Sequence, residues 1–132
     1  MSASGSITFF IDNNLSPQLA IGMRGFGEAV EHLQDLFNED ADDTEWLQYV
    51  GRRGLVLITR DISIRRRPAE LAALRDHRVG AFFLGGKNLG RCDLIQQLVR
   101  NWPRMKQMSI KTRRPFAFRV PPRGTKFVSI PL

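Results

Sequence analysis

The stretch Ile7-Thr8-Phe9-Phe10-Ile11-Asp12-Asn13-Asn14-Leu15-Ser16-Pro17 holds a strand, a stop and a helix start in immediate succession. Its first five residues are β-branched or aromatic and do not alternate with charged ones, the pattern of a strand buried on both faces of a parallel sheet. Asp12-Asn13-Asn14 ends the strand with side chains that favour turns. Ser16 supplies a helix N-cap and Pro17 the first helical position, and Leu19, Ala20 and Met23 follow at helical spacing. A strand that turns through an aspartate into a helix opens a β–α unit.

The same alternation continues outward. Gly25 and Gly27 stop the first helix, and Glu28–Leu33 reads as a short strand with Ala29 and His32–Leu33 turned inward. After the acidic loop 38–43, Trp46, Leu47 and Val50 share a helical face that ends at Gly51 or Gly54. Leu55-Val56-Leu57-Ile58 is a second apolar strand, running into Thr59-Arg60-Asp61. Pro68 opens a helix with Leu71, Ala72 and Leu74 inward, and Val79–Leu84 is a third strand. A helix is expected over 93–101, with Pro103 starting a further turn. The segments 115–120 and 126–130, joined through Pro121-Pro122-Arg123-Gly124, suggest a hairpin. Strands alternating with helices predict an α/β domain with a mainly parallel sheet and a C-terminal antiparallel ribbon. At 132 residues one domain is expected, with a core over 7–100 and a basic extension over 101–132.

Composition narrows the function. The single cysteine, Cys92, excludes an internal disulfide and a zinc–cysteine cluster. No run approaches the length of a membrane span, and the first residues lack the charged and apolar regions of a secretory signal, so a cytoplasmic protein is expected. Residues 1–50 carry nine acids against one base, whereas residues 94–132 carry nine bases and no acid. The basic half calls for a polyanion such as nucleic acid. An acidic half beside a polyanion needs a reason, and a bound cation is one.

In open parallel sheets ligands gather outside the carboxyl ends of the strands. Asp12 and Asp61 each follow a strand end, and right-handed crossover brings the start of the intervening helix, with Asp43, to the same edge. Each acid also has a plainer reading. Asp12 closes a turn, Asp42 and Glu45 form a capping box, Asp43 complements the helix dipole, and Asp61 pairs with Arg60 or Arg65. Three converging carboxylates repel one another unless a cation compensates, and an all-oxygen set suits Mg²⁺ or Mn²⁺. Arg65, Arg66 and Arg67 lie just past Asp61, Lys87 sits in a glycine-rich connection, and Arg113 and Arg114 lead into the tail; all six are candidate phosphate contacts. His32 is read as structural, His77 as surface, and Cys92 lacks a nearby base.

The run Phe9-Phe10-Ile11-Asp12-Asn13-Asn14-Leu15-Ser16-Pro17, then Asp43-Thr44-Glu45-Trp46-Leu47, then Leu57-Ile58-Thr59-Arg60-Asp61 resembles the PIN-like nuclease superfamily. Ile64-Arg65-Arg66-Arg67-Pro68-Ala69-Glu70 and Ala81-Phe82-Phe83-Leu84 extend the similarity, which covers most of residues 7–100. That superfamily includes the VapC toxins of bacterial toxin–antitoxin modules. The resemblance implies a three-layer fold and a Mg²⁺- or Mn²⁺-dependent endoribonuclease that leaves a 5′-phosphate and a 3′-hydroxyl. It makes Asp12, Asp43 and Asp61 the metal ligands and catalytic carboxylates, with Asn14 as a polar helper. It also implies RNA and a cognate antitoxin protein as partners, with a second copy of the chain as a further candidate. The larger pattern has another acid, usually glutamate, between the first two sites; Glu28, Glu31 and Asp35 are the nearest residues here. The rival from another class is a non-catalytic nucleic-acid-binding domain in which the acids are caps and turns. A haloacid-dehalogenase-like phosphatase wants an aspartate two residues after Asp12, where this chain has Asn14.

Overall fold

Alternate residues of the apolar strands feed two separate cores, one on each face of the sheet. In the computed structural model, which describes residues 6–132, β1 (Phe9–Ile11), β2 (Val30–His32), β3 (Val56–Thr59), β4 (Gly80–Leu84) and β5 (Phe116–Val120) are parallel. A short β6 (Val128–Ser129) closes the sheet antiparallel to β5. The strand order is β2-β1-β3-β4-β5-β6. Phe9, Ile11, Val56, Ile58 and Phe82 face one core, completed by α1 (Pro17–Gly25) and α5 (Arg91–Lys111). Phe10, Leu57, Ala81 and Phe83 face the other, covered by α3 (Asp43–Arg52) and α4 (Pro68–Asp76). The four-residue α2 (Leu33–Leu36) follows β2 directly. Ring contacts tie the layers together: Trp102 of α5 lies 4.6 Å from Phe9, and Trp46 of α3 stacks on Phe10 at 5.7 Å.

The expected α/β architecture is therefore present: a mainly parallel sheet between helices, ended by an antiparallel strand pair. Local signals act as read at α1, where Ser16 Oγ accepts from the Gln18 N–H and Pro17 occupies the first turn. Elsewhere packing overrides them. The helix expected to end near residue 101 runs on through Pro103 to Lys111. Buried Trp102 and Met105 hold it to the sheet on either side of the bond that the proline removes. Residues 101–132, read as an extension, complete the core on the α1 and α5 face: Trp102, Met105, Phe116 and Val120 are all buried in it. Ala29 and Ala72, expected inside, are exposed, because β2 begins only at Val30, just past Ala29, and Ala73 takes the inward position on α4. Asp42 stands at the N-cap of α3, but its side chain caps nothing, so the capping box is absent. No helix among the described residues is long and apolar enough to cross a membrane.

This order has a consequence for function. The chain runs from β1 to β2 on one side and then to β3 on the other, so the sheet's direction of winding reverses at β1, and the carboxyl ends of β1 and β3 are its switch point. Asp12 and Asp61 follow those two ends.

Candidate active site

Asp12 is the buried acid of this sheet edge. The residue is 3% exposed, directly after β1, and its side chain closes a turn by accepting the Asn14 N–H at 3.3 Å. The turn reading is therefore correct for one oxygen and incomplete for the other. Across the strand pair, the Thr59 hydroxyl donates to Asp12 Oδ2 at 2.6 Å and accepts the Asp61 N–H at 3.0 Å. With its amide turned so that Nδ2 faces the carboxylate, Asn14 donates to both Asp12 oxygens and to Thr59 Oγ1, at 3.0–3.2 Å. His32, fully buried, fixes the same loop: Nε2 bonds the Leu15 carbonyl at 2.7 Å, and Nδ1 accepts the Gln34 N–H at 3.1 Å. Its role is structural, as the sequence suggested.

Burial pushes the Asp12 carboxyl from its ordinary 3.8 up to about 7. The Thr59 hydroxyl and the Asn14 N–H pull it back, and the charges of Asp61 and Asp43 push it further up. All three carboxylates thus belong to one electrostatic group. Thr59 was missed as a functional position. Its signal was its place as the last residue of β3, two before Asp61. Thr59→Val removes a hydrogen bond to a charged group, and the expected cost is about 1.5–3 kcal/mol at pH 8. At pH 5, where Asp12 is protonated, urea titration should find the cost smaller.

Asp43 and Asp61 are half-buried. The Trp46 indole N–H orients Asp43 through Oδ1 at 3.1 Å. Asp61 caps the 3₁₀ turn Ile62–Arg65, accepting the Ser63 N–H at 3.1 Å and the Ser63 hydroxyl. Its ion-pair partner is Arg67, and not Arg60 or Arg65 as expected. Arg67 Nη2 lies 2.8 Å from Asp43 Oδ2 and 3.4 Å from Asp61 Oδ2. Its Nε bonds Glu70.

The remaining predicted residues divide sharply. Arg65 is half-buried beside the site, Arg66 is exposed, and Lys87 is exposed in the turn after β4, at the same sheet edge. Arg113 and Arg114 precede β5 and so lie at the opposite edge. Arg114 spends its guanidinium on the Gly54 and Leu55 carbonyls at 2.8 and 3.3 Å, where burial lowers its pKa. The structure does not bring either residue to the carboxylates. Glu28, Glu31 and Asp35 are committed elsewhere. Glu28 accepts from Trp102 and Lys106, Glu31 from the Tyr49 hydroxyl, and Asp35 from Arg24 and the His32 N–H.

Carboxylate and hydroxyl oxygens are donors that suit a hard divalent cation, and a group of like charges sensed by Asp12 gives such a cation its attraction. Among the described residues, however, no three His, Cys, Asp or Glu side chains form a ready ligand cluster. Arg67 stands between Asp43 and Asp61. The residues fit Mg²⁺ or Mn²⁺ in charge and donor type, with an internal cation already holding two of them.

A mainly parallel sheet covered by helices on both faces, with Asp12 and Asp61 just past the carboxyl ends of β1 and β3, defines the class: an α/β domain with acidic residues at its switch point. Residues 7–86 match the PIN-like domain family, and the chain belongs to it. PIN-like domains form a nuclease superfamily. No curated protein and no solved structure matches the chain.

Proposed function

We propose that this protein is a divalent-cation-dependent endoribonuclease and the toxin of a toxin–antitoxin pair, acting in the cytoplasm. The observation that carries the nuclease reading is Asp12. A carboxylate buried near two more acids, with its pKa raised, costs the fold stability, and a bound cation would offset that cost. Asp12, Asp43 and Asp61 are the residues that would hold Mg²⁺ or Mn²⁺, which when bound activates water and neutralises charge on phosphate oxygens.

The chain's own groups do the rest. Thr59 and Asn14 hold the Asp12 carboxylate in one orientation, so little reorganisation remains for the reaction. Trp46 does the same for Asp43. Arg65, Arg66 and Lys87, on the same edge, supply positive charge for the phosphates flanking the scissile bond. The cognate antitoxin is the partner that the sequence resemblance to toxin nucleases suggests, and RNA as substrate rests on the same resemblance.

The test is cleavage of single-stranded RNA in Mn²⁺ against EDTA. A smaller test concerns the backbone contacts. Lys87→Ala should weaken RNA binding severalfold and reduce the slope of log affinity against log salt by about 0.7, the value for one phosphate contact on a single strand. Arg113→Ala, at the far edge, should leave that slope unchanged. Filter binding across a salt series reads both.

A further inference from the structure

Among the described residues, the salt bridges of the arginine triplet all belong to Arg67. Its guanidinium is spread over four partners. Nη2 donates to Asp43 and Asp61, Nη1 donates to Ser63 Oγ at 2.8 Å, and Nε bonds Glu70. Glu70 and Ser63 flank Arg67 on its own stretch of chain, so they anchor the base of the fork while Nη2 reaches across to the acids. Asp43 arrives from α3, on another element altogether.

This is an unusual use of an arginine. Asp43 and Asp61 have no other cationic partner among the described residues, and both contribute to the negative field on Asp12. One positive charge at their meeting point does part of the work that a divalent ion would do. Its hold is loose, however. The Arg67, Asp43 and Asp61 side chains are 43%, 35% and 28% exposed, so water screens these pairs. A planar fork anchored at one end, whose tip is held only by screened pairs, is also the form in which arginine recognises phosphate.

We infer that Arg67 is the built-in counter-cation of the acidic site: it holds Asp43 and Asp61 until it yields them to a divalent cation, and its freed Nη2 then faces the RNA phosphate. This rests on the reading of Asp12, Asp43 and Asp61 as cation ligands. It makes Arg67 a competitor of the cation first and a substrate-positioning residue second. Arg65 and Arg66, without such pairs, take no part in the exchange.

The experiment is direct Mn²⁺ binding, followed through the electron paramagnetic resonance of the free ion, for wild type, Arg67→Gln, Arg67→Lys and Asp61→Asn. Arg67→Gln should bind Mn²⁺ at least tenfold more tightly than wild type. Arg67→Lys, a point charge that cannot fork across four partners, should fall between them, and Asp61→Asn should bind at least tenfold more weakly than wild type. With a non-cleavable RNA analogue, Arg67→Gln should lose severalfold in affinity in saturating Mn²⁺ and nothing in EDTA. Equal Mn²⁺ affinity for wild type and Arg67→Gln, with loss in Asp61→Asn, would overturn the exchange and leave the cation site standing. No Mn²⁺ binding by wild type or Arg67→Gln would remove the cation site and the exchange together. If melting shows Arg67→Gln to be unfolded, Arg67→Lys carries the test, and wild-type affinity there overturns the proposal.

Discussion

Asp12→Asn should cost the protein its nuclease activity and make it more stable. Both effects follow from one fact: the carboxyl is nearly buried, and burial raises its pKa from 3.8 to about 7. The unfolded chain gives up this proton near pH 4, whereas the folded chain keeps it until about pH 7. Between those values the native state binds more protons than the unfolded state, so stability falls as pH rises. The stabilising effect of the bound proton is complete below the unfolded pKa and is lost as pH climbs through the folded one. About three pKa units correspond to about 4 kcal/mol. Asparagine never ionises and escapes this cost. Its oxygen can still accept from Thr59, and the Asn14 amide can rotate to meet its new NH₂ group. In EDTA the variant should therefore match wild type near pH 4 and exceed it by about 4 kcal/mol at pH 8, read by urea titration at the two pH values. Cleavage should fall on the order of 10³-fold, as expected when a group that stabilises transition-state charge is lost. Equal stability at pH 8 would show that Asp12 is not the strained carboxylate described above.

Asp61→Asn should separate catalysis from binding. The 3₁₀ turn that Asp61 caps needs only an acceptor at Oδ1, which asparagine retains for the Ser63 N–H and hydroxyl. The fold should be undisturbed, with melting within a few degrees of wild type. What disappears is one negative charge from the group of three. Cleavage should fall on the order of 10²–10³-fold for that loss of charge at the reacting centre. RNA affinity in EDTA should hold or improve, since an anion has left a surface that meets phosphates. A parallel loss of binding and cleavage would instead assign Asp61 to RNA contact or to folding.

The strand-terminal acids were legible in the sequence because they follow from period and handedness. An apolar run ending in aspartate marks a strand's carboxyl end, and right-handed crossover carries Asp43 to the same side as Asp12 and Asp61. Helix α1 was equally legible, since Ser16 and Pro17 act within their own turn. What was not legible depends on partners distant in the chain. The Thr59 hydroxyl meets Asp12 across 47 positions of sequence, and Arg67 meets Asp43 across 24. A basic triplet read alone gives no sign that its third member turns inward to acids. Nor does a proline inside α5 reveal that buried neighbours carry the helix past it. Arg113 and Arg114 show the same limit from the other side: charge is visible in a sequence, but the sheet edge on which it falls depends on where β5 is inserted.

On the proposed reading these carboxylates cut RNA with the help of a divalent cation. The most direct test is to incubate a labelled single-stranded RNA pool with the wild-type protein in Mn²⁺ and in EDTA, with Asp12→Asn in parallel. Fragments ending in 5′-phosphate, seen only with wild type and only in Mn²⁺, are the expected result. RNA that is bound by folded protein yet remains whole in Mn²⁺ would contradict the claim and make this PIN-like domain a nucleic-acid-binding module.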